Sequence, residues 1–367
     1  MPPYTYFGGY MKVTVYAISK NEEKFADRWM NSVGEADEVV VLDTGSTDNT
    51  VQLLKSRGAT VYKEMISPWR FDTARNRSLD LVSDDTDICV CCDLDEVFRP
   101  GWRDILEKAW RPNVKQASYR YTWNFNDDGS EGTVFWIEKI HARRGFRWTH
   151  PVHEVLTYCA DEPLVKIFAE GIQLDHHADE SKSRGQYLGL LELSVKEDPD
   201  DDRNMHYLGR EYMFVGEDEK AIETLKRHLS MPRATWRDER CASMRFIARC
   251  CERLGNIKEA EAWHYRACAE GQHLREPFVD FAEFMYRREN YEGVIFACLG
   301  ALEIKQRPRT YITEAKAWGS EPYDLLSIAY YYTGNREKAK KYALLALEYE
   351  PDNERIRQNY HIIAGEE

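Results

Sequence analysis

Short apolar runs alternate with amphipathic stretches through the first half of the chain. VTVYAI (Val13 to Ile18) reads as a buried strand, and Glu22 to Val33 carries Phe25, Trp29 and Met30 at helical spacing. EVVVL (Glu38 to Leu42) is a second strand, followed by a helix over Asn49 to Arg57 that Gly58 closes. A third strand in ATVYKE, a helix from Thr73 to Val82 and a fourth strand in DICVCCDLD complete the pattern. Strands continuous in Val, Ile and Cys and separated by helices predict a mostly parallel sheet covered on both faces.

From Asp202 onward the pattern is helical throughout. Gly216, Gly255 and Gly334 each precede an alanine by five residues (Ala221, Ala260, Ala339), and Gly209 and Ala248 occupy equivalent places, where a small residue lets two helices approach. Met285 to Leu302 is a weaker copy, and inserts are expected around Arg233 to Asp238 and Gln306 to Glu321. These copies resemble tetratricopeptide repeats, whose stacked helix pairs make a solenoid with a concave face. The chain is therefore read as an α/β domain over 1–180, a linker helix over 181–201 and a repeat domain over 202–367.

Length and composition agree with two globular domains: 367 residues, 43% hydrophobic and 13% aromatic. A net charge of −13 argues against nucleic acid as a partner, since phosphate backbones need a basic surface. No apolar run approaches the length of a membrane span, and no charged-then-apolar opening suggests a secretory signal. The nine cysteines are scattered, several within apolar runs, and read as small buried hydrophobes of a cytoplasmic protein.

Candidate chemistry gathers where strands end. DTGS (Asp43 to Ser46) matches the catalytic loop of an aspartic protease, but such enzymes are built of β-strands and need two loops. Here one copy lies between a strand and a helix, so Asp43 sits where ligands bind in an open α/β sheet, just past a strand's carboxyl end. ISKNEE (Ile18 to Glu23) and WRFDTARNRS (Trp69 to Ser78) each open a helix, the second with Arg75 and Arg77 in its first turns. Asp93-Leu94-Asp95 places two carboxylates at one strand end, an arrangement that calls for a cation and suits Mg²⁺ or Mn²⁺.

The ordered series AISKNEE, VVVLDTGSTDNT, ARNRSL and CCDLDE resembles the family 2 glycosyltransferases of the GT-A fold. That resemblance implies a nucleotide-sugar site, with uracil the base favoured and hence a UDP-sugar donor, and inversion at the anomeric carbon. It implies that Asp43 contacts the base, that Arg75 lies near the nucleotide phosphates, and that Asp93 lies near ribose and metal. Asp95 would bind the divalent cation, while Asn21 and Glu22 line the same cleft. The family places its acceptor side after the metal motif, which makes Glu154 in RRGFRWTHPVHEVL the candidate base, with His153 beside it. A salt bridge from Glu154 to Arg147 or Arg143 is the competing role. A histidine often completes the metal shell in this family, and alternation with Ile172 and Leu174 favours His176 over His177.

Pairing of such a domain with tetratricopeptide-like helices is similar to the peptide S-glycosyltransferases of bacteriocin clusters. It implies a peptide, protein or glycan acceptor, with the repeats holding the acceptor or making a homodimer. RGFRW (Arg144 to Trp148) partly matches the QxxRW motif of processive synthases but lacks the glutamine. A protein-interaction module with an idle nucleotide-binding half is the alternative from another class. A nucleotidyltransferase ranks lower, because ISKNEE is acidic and has no glycine.

Overall fold

The computed structural model describes residues 10–126, 129–179, 185 and 187–365. Its internal contacts divide the chain into two compact units, Met1–Gln186 and Tyr187–Glu367.

The first unit opens with β1 (Val13–Ser19), α1 (Glu23–Val33), β2 (Glu38–Asp43), α2 (Thr50–Ser56) and β3 (Thr60–Lys63). It continues with α3 (Phe71–Asp80), β4 (Ile88–Cys91), β5 (Glu96–Phe98), α4 (Trp102–Ala109) and β6 (Gln116–Thr122). Then come β7 (Val134–Ala142), the hairpin β8 (Phe146–Thr149) and β9 (Val155–Tyr158), and β10 (Lys166–His176). Eight strands form one sheet in the order β3-β2-β1-β4-β7-β6-β10-β5. The sheet is mostly parallel, as the apolar runs imply; β7 runs against β4 and β6, and β5 runs against β10.

The continuity of the strand runs follows from burial on both faces. Val13, Val15 and Ala17 of β1 pack with Phe25, Trp29 and Val33 of α1. Tyr16, on the other face, packs with Cys89 and Cys91 of β4, Leu79 of α3 and Trp148 of β8. One boundary differs usefully from expectation. Helix α3 starts at Phe71 rather than Thr73, because Asp72 accepts from the Thr73 backbone N–H (2.7 Å) and pairs with Arg70 (2.8 Å), while Phe71 N–H bonds the Pro151 carbonyl.

In the second unit α5 (Tyr187–Glu197) leads into four helix pairs: α6 (Asp202–Phe214) with α7 (Asp218–Ser230), and α8 (Arg237–Arg253) with α9 (Ile257–Glu270). These are followed by α10 (Glu276–Tyr286) with α11 (Tyr291–Glu303), α12 (Glu321–Tyr332) with α13 (Arg336–Tyr349), and a closing α14 (Glu354–Ala364). The expected insert between Gln306 and Glu321 is a loop holding one 3-10 turn at Ala315–Trp318. Gly216, Gly255 and Gly334 sit at the turns inside their pairs with φ of +82°, +77° and +82°, the left-handed conformation glycine adopts without steric cost. The third pair reads weakly in sequence because Glu289 takes that position, with φ +55°.

Among the described residues no helix is long and apolar enough to cross a membrane. Gly209 permits a close approach of α6 and α7: a Cβ there would lie 2.5 Å from Leu225 Cγ, a fully buried side chain. Gly209→Val is expected to cost about 1–3 kcal/mol by overpacking. Urea denaturation followed by circular dichroism checks it, and an unchanged midpoint would mean that α6 and α7 separate freely.

Candidate functional site

The loops at the carboxyl ends of β1 and β2 lock one another. Ser19 and Asp43 are register partners in the parallel pair, and Ser19 Oγ donates to Asp43 Oδ2 at 3.1 Å. Asp43, 1% exposed, also accepts from the backbone N–H groups of Gly45 and Ser46 and from the Ser46 hydroxyl. It therefore organises the turn it starts. Asn21, exposed and held at φ +54°, accepts from Thr47 N–H (2.8 Å), while its own N–H bonds Ser46 Oγ (2.9 Å). The starts of α1 and α2 are capped crosswise: Glu22 N–H reaches Thr50 Oγ1, Glu23 N–H reaches Asp48, and Asn49 N–H reaches Glu23. Such reciprocal caps satisfy donors that a helix start leaves over. Asn21, Glu22 and Asp43 are thus brought together in one hydrogen-bonded rim.

The second group centres on Arg75, 7% exposed on α3. Its Nη1 and Nη2 donate to the two oxygens of Asp93 at 2.6 and 2.9 Å, its Nε donates to Glu154 Oε1, and its guanidinium lies 5.1 Å from the Trp148 ring. The rest of ARNRS holds this arginine in place. Asn76 grips the backbone of Trp148 from both sides (2.7 and 2.9 Å), Arg77 pairs with Glu64, and Ser78 Oγ bonds the Ala17 carbonyl at 2.8 Å. Glu154 is delivered by a loop in which His150 (φ +75°) and His153 (φ +49°) hold left-handed conformations, strain of the kind that collects at functional sites. Its partner is Arg75 and not Arg147 or Arg143, which bond Asp80 and the carbonyls of Val82 and Ser83. Oε1 takes the arginine, and no other partner of the Glu154 carboxylate is seen among the described residues.

Sequence reading missed Lys139 and Glu96. Lys139 Nζ lies 3.1 Å from Asp93 and 2.6 Å from Glu96, and the Tyr121 hydroxyl donates to Glu96 at 2.9 Å. The available signal was phase: Lys139 continues the alternation of Phe135 and Ile137 in β7, and an inward lysine requires buried acids. Burial alone would raise Asp93, but Arg75 and Lys139 outweigh it and hold the carboxyl well below the usual range. Burial pushes Glu96 up in spite of Lys139. Arg75 and Lys139 thus keep Asp93 ionised, and a quarter of its side chain remains exposed.

Behind this group, the buried His141 is pushed down to about 4 by desolvation and so stays neutral. Its ring makes a chain with Tyr16 and Trp148: Trp148 Nε1 donates to the Tyr16 hydroxyl, which lies 2.9 Å from His141 Nε2. That chain fixes the indole plane on which Arg75 rests.

Asp95 and His176 form the third group. His176 Nδ1 bonds the Trp123 carbonyl at 2.9 Å, and its ring stacks on Trp123 at 4.6 Å. Those contacts turn Nε2 toward Asp95 Oδ2, 3.6 Å away. Burial disfavours the imidazolium, but Asp95 more than offsets it and raises the pKa. Ligands of a small divalent cation sit about 2.0–2.1 Å from it, so two donors at this spacing can reach one ion, and one oxygen with one imidazole suits Mn²⁺. The donor set fits. His177 instead stacks on Phe125 at 5.5 Å.

Residues 14–160 match the family model for glycosyl transferase family 2, and residues 320–353 match a tetratricopeptide repeat model. The SPbeta prophage-derived glycosyltransferase SunS of Bacillus subtilis is 23% identical over 235 residues, covering 59% of this chain and 53% of SunS. An uncharacterized glycosyltransferase of Rickettsia typhi is 44% identical over 59 residues, 16% of this chain and 19% of that protein. The chain spans about half the length, or less, of the curated relatives it matches. Among solved structures, MamA is 20% identical over 46% of this chain and 83% of its own, with a TM-score of 0.36.

Proposed function

We propose that this chain, which carries a glycosyl transferase family 2 domain followed by tetratricopeptide repeats, moves a sugar from a nucleotide-sugar to an acceptor. The observation that carries the reading is the Arg75–Asp93–Glu154 group at the carboxyl ends of the parallel strands, where open α/β sheets bind ligands. A UDP-sugar donor and inversion by direct displacement are the finer parts of the proposal, and both rest on the family likeness.

In this reading the rim of Asn21, Glu22 and Asp43 receives the nucleoside base. Asp43 acts there chiefly by fixing the backbone of Gly45 and Ser46, since its oxygens already hold the loop's own donors. Arg75 and Lys139 set a positive field beside the diphosphate, balanced in the resting site by Asp93, Glu96 and Glu154. A divalent cation, held by Asp95 and His176, would neutralise charge that grows on the departing diphosphate. Glu154 accepts the proton of the acceptor nucleophile at Oε2. Nine unpaired thiols suit a reducing, cytoplasmic setting. The repeats offer a surface for a peptide or protein acceptor, or for a second copy of the chain.

The test is Asp95→Asn. Release of nucleoside diphosphate under saturating Mn²⁺ is expected to fall about 100-fold or more, while circular dichroism stays unchanged because the partly exposed Asp95 side chain faces His176. Full activity in that variant would remove Asp95 from the cation site.

A further inference from the structure

We propose that the first helices of the repeat unit bind a tetrahedral transition-metal ion, Zn²⁺ by its donor chemistry, between Asp202, His228 and Glu239. One donor atom from each lies within 4.8 Å of the other two. They come from three successive helices: Asp202 opens α6, His228 lies in the last turn of α7, and Glu239 lies in the first turn of α8. His228 is fully buried and Glu239 is 4% exposed.

The orphan atom is His228 Nε2. It faces Glu239 Oε1 at 3.4 Å yet makes no aligned hydrogen bond, in an interior where polar atoms are normally paired. Its other nitrogen allows Nε2 to be an acceptor. Ser243 Oγ lies 2.7 Å from His206 Nδ1 and 2.9 Å from His228 Nδ1, and one hydroxyl proton serves only one ring. With Ser243 donating to His206, His228 carries its proton on Nδ1 and turns the Nε2 lone pair toward the Glu239 carboxylate. Two lone pairs repel at that distance unless a cation lies between them. Donors about 2.0–2.1 Å from a tetrahedral Zn²⁺ stand roughly 3.4 Å apart.

The surroundings are those of a metal site. The Tyr311 hydroxyl donates to Glu239 Oε2, which leaves Oε1 to the metal, and Ser243 Oγ lies 2.9 Å from His228 Nδ1, which leaves Nε2 to the metal. Nitrogen and carboxylate donors select Zn²⁺ over Mg²⁺ or Ca²⁺, and three protein ligands leave a fourth position for water. Such an ion would tie three helices at the start of the repeat unit. The competing occupant is a proton shared by His228 and Glu239.

The full chain with Asp95→Asn, which silences the cation residues of the first unit, is stripped with chelator and titrated with Co²⁺ and then Zn²⁺. The expected result is one Co²⁺ per chain with the visible bands of tetrahedral coordination, displaced by Zn²⁺, and a higher melting temperature with Zn²⁺. His228→Gln should abolish the bands. Asp202→Asn, at a half-buried helix start, should keep the fold and weaken Co²⁺ binding at least about 10–100-fold. No uptake, or uptake unchanged in both variants, would overturn the assignment.

Discussion

Arg75→Met is expected to lower turnover by about 100-fold or more and to destabilise the first unit by about 3 kcal/mol. The guanidinium joins Asp93 and Glu154, and removing one partner of a buried ion pair costs about 3–5 kcal/mol because a buried charge is left uncompensated. The lower end applies, since Asp93 keeps Lys139 and is a quarter exposed. Loss of the field at the diphosphate lowers the rate by a factor of about 100–1,000. Arg75→Lys should recover part of the stability and little of the activity, because an ammonium cannot hold Asp93 through two parallel bonds and reach Glu154 as well. Urea denaturation and diphosphate release separate the two effects. Equal recovery of both by lysine would mean that only charge is needed.

Glu154→Gln carries the second large effect. The amide oxygen can still accept from Arg75 Nε, so the site keeps its shape while the proposed proton acceptor is lost. Turnover should fall about 10²–10⁴-fold with donor affinity nearly unchanged. Calorimetric titration of the donor beside the rate measurement distinguishes the roles. Weakened donor binding would make Glu154 the residue that positions Arg75, and the proton would have to leave by another group.

Much of the fold was legible because its signals are local. Buried parallel strands read as unbroken apolar runs, and helix pairs announced themselves through a left-handed glycine followed five residues later by a buried alanine. Where Glu289 replaces that glycine the repeat persists but its signature fades, since the backbone conformation is kept at a cost that sequence pattern does not show. β7 went unread: it is antiparallel, partly exposed and interrupted in register. With it went Lys139.

The candidate site divides in the same way. Asp43, Arg75, Asp93 and Asp95 lie in motifs whose strand-end position is visible in the sequence. The partner of Glu154 was not, because residues 75 and 154 meet only through the packing of α3 on the β8–β9 hairpin loop. His176 was separable from His177 by alternation, and the structure turns the former toward Asp95. The His206–Ser243–His228–Glu239 group left no trace in the pattern, since its members are scattered over three helices otherwise read as repeat core.

The most direct measurement is the melting temperature of the full chain with a panel of nucleoside diphosphates and nucleotide-sugars, with and without Mn²⁺. A ligand at 100 times its Kd stabilises by about 2.7 kcal/mol, enough to move the transition by several degrees. A Mn²⁺-dependent rise with UDP or a UDP-sugar, absent in Asp95→Asn, is the predicted result. No shift with any nucleotide would contradict the transferase account and leave the chain as a repeat-based interaction protein.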